Sequence, residues 1–215
     1  MTIPTLMAKI DEKTTVNKLK STYAIFSQAA KLAISENGDI DGWDLAADSN
    51  LDSSEKLYNY FKPYLKRARD CDRSAKKGCF ASNYKAMFGD SDYAYQPDTI
   101  SSGAKSRGVL LNGVSFRFWS EYTGCYDDAG TTYCGSIHVD INGLSKPNRA
   151  GVDYFIFRLT PNSVVPAYND VNNKSRYGLF CQYNNTSNKN GALCTGWVIK
   201  HGNMDYLRKD VTGLY

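Results

Sequence analysis

Six cysteines carry the clearest chemistry in the sequence. They fall along the chain as three neighbouring pairs: Cys71 and Cys79, Cys125 and Cys134, and Cys181 and Cys194. No pair has the Cys-x-x-Cys spacing of zinc-ribbon or thioredoxin-type sites, so we expect the cysteines to form disulfides; six allow about 15 connectivities, of which pairing each with its neighbour closes three short loops. A short loop closed in this way adds about 2–3 kcal/mol of stability in the chain-entropy picture. Because such bonds persist only in oxidising compartments, the chain is predicted to be exported.

A second set of side chains carries oxygen atoms that a hard cation prefers. Asp140, Asn142, Asn148 and Asp153 could supply ligands to Ca²⁺, although their spacing is not that of an EF-hand loop. The alternative is a turn, in which the Asn and Gly residues bend the chain and Asp153 accepts hydrogen bonds from backbone amides. We favour the turn and keep calcium as the second interpretation.

The residues that could support catalysis form no recognisable constellation. The two histidines are His138, on a predicted strand and on its polar side, and His201, beside a glycine that ends a helix. The sequence has no Gly-x-Ser-x-Gly, no His-Glu-x-x-His and no phosphate-binding glycine loop. We therefore predict no catalytic site and no enzymatic activity.

The net charge of +4, from 26 basic and 22 acidic residues, indicates no strong preference for a charged partner. A DNA or other surface ligand would need the basic residues on one face, interleaved with stacking aromatics such as Tyr58 and Tyr60. We favour a solvated helix end and loop instead. The basic residues cluster at Lys62, Lys66, Arg67, Arg69, Arg73, Lys76 and Lys77.

One long helix opens the chain. Over residues 15–34 the apolar residues recur in steps of three and four, which is typical of an α-helix with one buried stripe. Asn37 and Gly38 end it, because both tolerate the left-handed conformation. Apolar residues continue upstream, and Pro4 is expected to bend the helix. The stripe consists of Val16, Leu19, Tyr23, Phe26, Ala30 and Ala33.

After a second predicted helix over residues 55–69, the apolar period changes from that of a helix to that of a strand. Asn112-Gly113 is a hairpin turn signal, and alternating segments follow at residues 133–141 and 154–159. This order predicts an α+β fold. We divide the chain into the N-terminal helix, residues 1–36, and a single globular head, residues 37–215.

Several segments together resemble type IV pilin-like proteins and pseudopilins. The first seven residues, and the helix that follows and ends in Asn-Gly, resemble the stretch just after the membrane-spanning segment of that family. An Asp-x-Asn-Gly…Pro-Asn…Gly-x-Asp-x-Phe signature and the C-terminal end are also similar. The matching segments are residues 1–7, 19–23, 27–29, 36–38, 139–143, 146–148, 151, 153–155, 194–199 and 202–206.

The resemblance implies a pilin-like α+β fold: a long N-terminal helix packed on a small antiparallel sheet, with disulfide-stapled loops. It also implies a structural subunit of a type IV pilus or type II secretion-like filament. Such subunits polymerise with copies of themselves and with other pilin-like subunits. The assembly helix would present Leu6, Ile10, Val16, Leu19, Tyr23 and Phe26.

The same resemblance implies where the protein resides. Family members carry a cleaved leader and about 20 apolar residues that anchor the subunit in the inner membrane before assembly. The filament then lies in the periplasm or at the cell surface. Residues 1–7 resemble no signal peptide, so we expect such a segment to precede Met1. A secreted or surface-displayed binding or adhesion module that does not polymerise is the alternative hypothesis.

Overall fold

A computed structural model describes most of the chain. The described residues are 3–46, 50–71, 79–97, 106–120, 124–128, 130–167 and 180–211. For residues 3–10 and 50–51 it describes the backbone alone.

The first element, α1, is one continuous helix over Ile3–Asn37. Its 35 residues span about 52 Å at the usual rise per residue. Pro4 lies in the first turn, where a missing N–H breaks no intrahelical hydrogen bond. The helix ends where Gly38 takes a positive φ of 77° and donates its N–H to Ile34, which is the termination that the sequence predicts.

The remaining elements are short. Two further helices are α2 (Asn50–Phe61) and α3 (Thr195–His201), and 3₁₀ turns lie at Ile40–Gly42, Lys62–Tyr64 and Asp205–Leu207. The strands are β1 (Arg67–Cys71), β2 (Arg107–Leu110), β3 (Ser115–Trp119), β4 (Tyr126–Asp128), β5 (Thr131–Tyr133), β6 (Gly135–Asp140), β7 (Tyr154–Thr160) and β8 (Ser163–Pro166).

The sheet is larger than the small pilin-like sheet expected from the resemblance, and that prediction of the fold class is wrong. Six antiparallel strands pair in the order β1-β2-β3-β6-β7-β8, and β4 and β5 form a separate hairpin, which makes eight strands. The chain is α+β overall. Strand β1 was not predicted, and its first residues belong to the helix predicted over residues 55–69. Pro63 explains the difference, because it follows α2 closely and the chain leaves the helix there.

One face of the six-stranded sheet is packed against α1 and α2. Phe26 of α1 lies fully buried among the rings of Phe116, Phe118 and Phe157, at centroid distances of 5.7, 6.0 and 6.4 Å. Alternate residues of β3, β6 and β7 point to this face and are apolar. The larger of the two cores therefore lies between the helices and the sheet.

The opposite face is covered by irregular segments, residues 79–97 and 180–194. Three disulfides brace this region and its surroundings: Cys71–Cys79, Cys125–Cys134 and Cys181–Cys194. The prediction that the chain carries disulfides is confirmed, and the structure pairs each cysteine with its neighbour. The first bond ties the end of β1 to residues 79–97, and the second closes the base of the β4–β5 hairpin.

The C-terminal segment fastens α1 to the head. The Glu12 carboxylate accepts hydrogen bonds from the Met204 N–H at 2.8 Å and from both terminal nitrogens of Arg208, at 2.7 and 3.1 Å. Arg208 beside Glu12 lowers the pKa of that carboxyl, against the effect of burial. Further along the same segment, Tyr206 donates to the Gly151 carbonyl at 2.8 Å. These contacts link α1 to the loop between β6 and β7.

The packing of Phe26 generates a stability prediction. Replacing it with alanine should lower the free energy of unfolding by about 3–5 kcal/mol, because the cavity would lie among three phenylalanine rings. Equilibrium urea denaturation of the intact chain measures this change. Leu32→Ala on the same helix is the matched control, since Leu32 is 45% exposed and its loss should cost less than about 0.5 kcal/mol. Equal losses for the two variants would contradict the packing described here.

Candidate functional site

The sheet face opposite α1 carries a layer of buried polar side chains. Antiparallel register places Arg117 beside His138, Ser115 beside Asp140, and Asp140 beside Tyr154. All of these side chains are less than 5% exposed. Since alternate residues of a strand point to opposite faces, the apolar residues between them line the α1 side. We call Ser136, His138, Asp140, Tyr154 and Tyr84 the polar layer.

A chain of hydrogen bonds runs through His138. Its Nε2 atom lies 3.0 Å from the Ser136 hydroxyl, and its Nδ1 atom lies 2.7 Å from the Tyr154 hydroxyl. The Tyr154 hydroxyl in turn donates to the carbonyl of Tyr95 at 3.4 Å. A neutral imidazole protonated at Nδ1 satisfies all three contacts, because Ser136 then donates and Tyr154 accepts.

The electrostatics of this chain oppose its use as a catalytic triad. Burial lowers the pKa of His138 well below its usual range, and the positive charges of Arg117 and Arg158 lower it further. A serine nucleophile needs a base that can become an imidazolium ion, normally stabilised by a carboxylate on the other nitrogen. Here that position is held by Tyr154, whose pKa burial raises, so the phenol stays neutral. The arrangement is suited to structural hydrogen bonding.

Asp140 forms the other half of the polar layer. Its side chain is fully buried, where it accepts a hydrogen bond from the Tyr84 hydroxyl and another from the Asn142 N–H at 3.0 Å. Burial raises the pKa of Asp140 to about 7, with a further rise from the negative charge of Asp153. Hydrogen bonds from Tyr84 and from backbone amides act in the opposite direction. Asp140 is thus a buried carboxyl that holds its proton near neutral pH.

The four residues of the calcium interpretation do come together. Asp153 accepts hydrogen bonds from the backbone N–H groups of Asn148 and Arg149, at 2.7 and 2.6 Å, and from the Asn142 amide at 3.1 Å. Burial raises the pKa of Asp153, and these donors partly offset the rise. Donors therefore occupy the carboxylate positions that a cation would need. This geometry is the turn that we favoured from the sequence.

Two oxygen atoms at this corner have no hydrogen-bond partner among the described residues: Oδ1 of Asn142 and Oδ1 of Asn148, both buried. They are the remaining argument for a cation. Within the described part of the chain, no group of three or more His, Cys, Asp or Glu side chains could hold a metal ion. The calcium interpretation therefore depends on the two amide oxygens and on displacing existing donors.

The basic cluster is divided. Lys62 and Arg67 both form ion pairs with Asp70, each at 2.9 Å, and Arg69 lies exposed on the edge strand β1. Tyr58 is buried and donates to Asp70, while Tyr60 stacks on Trp43 at a centroid distance of 4.3 Å. These two rings are engaged in packing. Arg73, Lys76 and Lys77 lie outside the described residues.

The assembly-helix residues have two different placements. Val16, Leu19 and Phe26 are buried in the chain's own core, and Tyr23 stacks on Phe157 and donates to the Val164 carbonyl. These four side chains hold α1 on the head, so they are not free for a neighbouring subunit. The side chains of Leu6 and Ile10 lie outside the described residues.

Two observations bear on location. The three disulfides indicate an oxidising or extracellular compartment. Among the helices and residues that the structure describes, none combines the length and the apolar character needed to cross a bilayer.

Comparison with known proteins places this chain in a family. A family of unknown function, DUF6613, matches residues 5–195, which is most of the chain. The chain belongs to the DUF6613 family. The match begins within α1 and includes the whole polar layer, all three disulfides and most of both cores described above. No curated protein and no solved structure matches the chain.

Some residues of the DUF6613 site could be found from the sequence and others could not. Asp140, Asn142, Asn148 and Asp153 were identified by their chemistry, and His138 by its type. Tyr84, Tyr154 and Ser136 were missed. The period-2 pattern places Ser136, His138 and Asp140 on one side of a strand, but that side is normally exposed to solvent. The sequence held no signal that residues 79–97 cover it.

The shifted pKa values in the polar layer predict how the free energy of unfolding depends on pH, with opposite signs for Asp140 and His138. The raised pKa of Asp140 makes its contribution to stability largest below its ordinary pKa, and that contribution is lost as the pH rises towards 7. The lowered pKa of His138 makes its contribution largest above about pH 6.5, and that contribution is lost as the pH falls. Between about pH 4 and pH 6.5 the contribution of Asp140 falls as the pH rises while that of His138 grows, so the two changes in the free energy of unfolding should offset each other.

Removing either group alone should therefore make the free energy of unfolding depend on pH, with opposite signs for the two variants. In His138→Gln, stability should fall as the pH rises from about 4 to about 7, and in Asp140→Asn it should fall as the pH drops below about 6.5. Each slope is limited to about 1.4 kcal/mol per pH unit for one proton. Urea denaturation across this range measures the slopes relative to the unmodified chain. Slopes of the same sign in both variants would contradict the assignment.

Chelation distinguishes the turn from the calcium site. Because amide donors already occupy the Asp153 carboxylate, we expect excess EDTA to leave the melting temperature of the intact chain unchanged. Added Ca²⁺ should not raise it either. Asp153→Asn serves as the internal control: it should lower the melting temperature equally with and without Ca²⁺. A melting temperature that falls with EDTA in the unmodified chain alone would establish the cation site.

Proposed function

We propose that this DUF6613 chain is a structural subunit, a pilin or pseudopilin, of a type IV pilus or type II secretion-like filament. The observation that carries the proposal is the form of α1. From Val16 onward its apolar stripe is buried in the head, and Glu12 accepts a hydrogen bond from Met204 in the C-terminal segment.

A helix arranged in this way suits assembly. The head-facing stripe is already satisfied by the chain's own core, so subunit contacts would have to come from the part of α1 that precedes Glu12 and from whatever lies before it. The apolar residues of that part of the sequence include Leu6 and Ile10 of the assembly helix, together with Ile3, Met7 and Ala8. Assembly through this part would leave the fold of the head unchanged.

The resemblance described from the sequence supports the same function. Its matching segments include the end of α1, the corner formed by Asp140 and Asp153, and the start of α3. The disulfides support export, and an inner-membrane anchor before assembly would deliver the head to the oxidising side. We place the mature subunit in a periplasmic filament or at the cell surface.

A structural role also agrees with the chemistry of the polar layer. His138 and Asp140 are buried, and their hydrogen-bond partners belong to the chain itself. Enzymes need titratable groups that converge on a substrate. The second candidate, a secreted binding or adhesion module that does not polymerise, differs from the first only in how α1 continues upstream.

The mature N-terminus tests the proposal. Protein sheared from the surface of its source cells should begin, by mass spectrometry, with a methylated aromatic residue and about 20 apolar residues ahead of Thr2. The same sheared fraction should contain filaments that carry the chain. A mature chain that begins at Met1, or after an ordinary signal-peptidase cut, would overturn assembly through α1 and favour the binding module.

A further inference from the structure

Two leucines at one end of the sheet are unusually exposed. Leu111 is 67% exposed in the turn between β2 and β3, and Leu144 is 53% exposed in the loop between β6 and β7. They are the most exposed large apolar side chains among the described residues. Turn positions normally carry polar residues or glycine, so the folding of the head does not account for these leucines.

The two turns touch each other. β3 and β6 are neighbours, with Ser115 opposite Asp140, so both turns lie at the same end of the sheet. A side chain at Gly143 would place its Cβ 3.3 Å from the Gly113 carbonyl oxygen, which shows how closely the turns approach. Leu111 and Leu144 therefore lie on two adjacent turns that project at the same end of the sheet.

Lysines flank this projection. The Lys66 carbonyl accepts a hydrogen bond from the Leu111 N–H at 3.3 Å, and the Lys146 carbonyl accepts one from the Asn142 amide at 3.1 Å. Both lysine side chains are exposed, and neither has an ion-pair partner among the described residues. Residues 111–114 and 141–152 contain no Asp or Glu. Asp153 and Asp140 are buried below the surface.

We propose that this leucine tip, formed by Lys66, Leu111, Leu144 and Lys146, inserts into the surface of a bilayer that contains anionic lipid. Leucine side chains that enter the acyl boundary lose their contact with water, while lysine side chains extend their ammonium groups to the phosphates. Each lysine near an anionic surface strengthens binding about fivefold. The proposal requires neither a filament nor an anchor, so it stands or fails separately from the proposed function.

A lipid surface fits the tip better than a protein partner does. Two adjacent turns with one exposed leucine each offer a small apolar surface, whereas a specific protein interface buries about 800 Å² on each partner. A bilayer adapts its surface to such a projection and needs no complementary groove. The lysines beside the leucines, together with turns that contain no Asp or Glu, also match an anionic surface.

The test is vesicle flotation with the full chain. The chain should float with phosphatidylcholine vesicles that contain about one third phosphatidylglycerol, and binding should weaken with salt, because surface electrostatics are screened. Leu111→Ser with Leu144→Ser should reduce binding at least about tenfold, and Lys66→Gln with Lys146→Gln should reduce it with a smaller salt dependence. Leu111→Trp should show a blue-shifted emission on the anionic vesicles.

Leu32→Ser is the matched control, since Leu32 is an exposed leucine on α1, away from the tip. It should bind vesicles like the unmodified chain. Circular dichroism should show that all variants remain folded. No flotation of the unmodified chain, or equal loss in Leu32→Ser and in the double leucine variant, would overturn the proposal. Self-association that the double leucine variant abolishes, without vesicle binding, would instead assign the tip to a contact between two copies.

Discussion

Burial of the central strands β3, β6 and β7 on both faces is the constraint on which the rest of the structure depends. α1 and α2 cover one face with an aromatic core in which Phe26 lies among three phenylalanine rings. Within the described part of the chain the other face is covered by no helix of comparable length but by the irregular residues 79–97 and 180–194. A half-exposed sheet needs no partners for its polar face, but a fully covered one must satisfy every buried polar group.

The polar layer is the consequence of this double burial. Ser136, His138 and Asp140 have the alternation of an ordinary half-exposed strand, yet each side chain is buried and hydrogen-bonded. Their partners Tyr84 and Tyr154 join the covering segment to the sheet. Phe80, Tyr84 and Tyr93 of the covering segment are buried in the second core, and the flanking disulfides reduce the entropy that the segment gains on unfolding. The disulfides, the polar layer and this core thus stabilise the same irregular region.

Much of this fold could be predicted from the sequence. The stripe on α1, the Asn112-Gly113 turn and the alternation in β6 and β7 are local signals, and the structure follows them. β1 was not predictable in the same way, because the helical pattern of α2 continues into its residues and only Pro63 interrupts it. The size of the sheet and the covering of the polar layer depend on contacts between distant segments. No short window of sequence contains that information.

The two buried faces also determine where function can reside. His138 and Asp140 are buried between the sheet and residues 79–97 and bond within the chain, so we expect changes there to alter folding stability and its pH dependence. The apolar stripe of α1 is likewise buried against the chain's own sheet. Among the described residues, the turns at the end of the sheet are exposed, and Leu111 and Leu144 there belong to neither core. Turns at a sheet end can change without disturbing either core, which makes them suitable places for the contact proposed above.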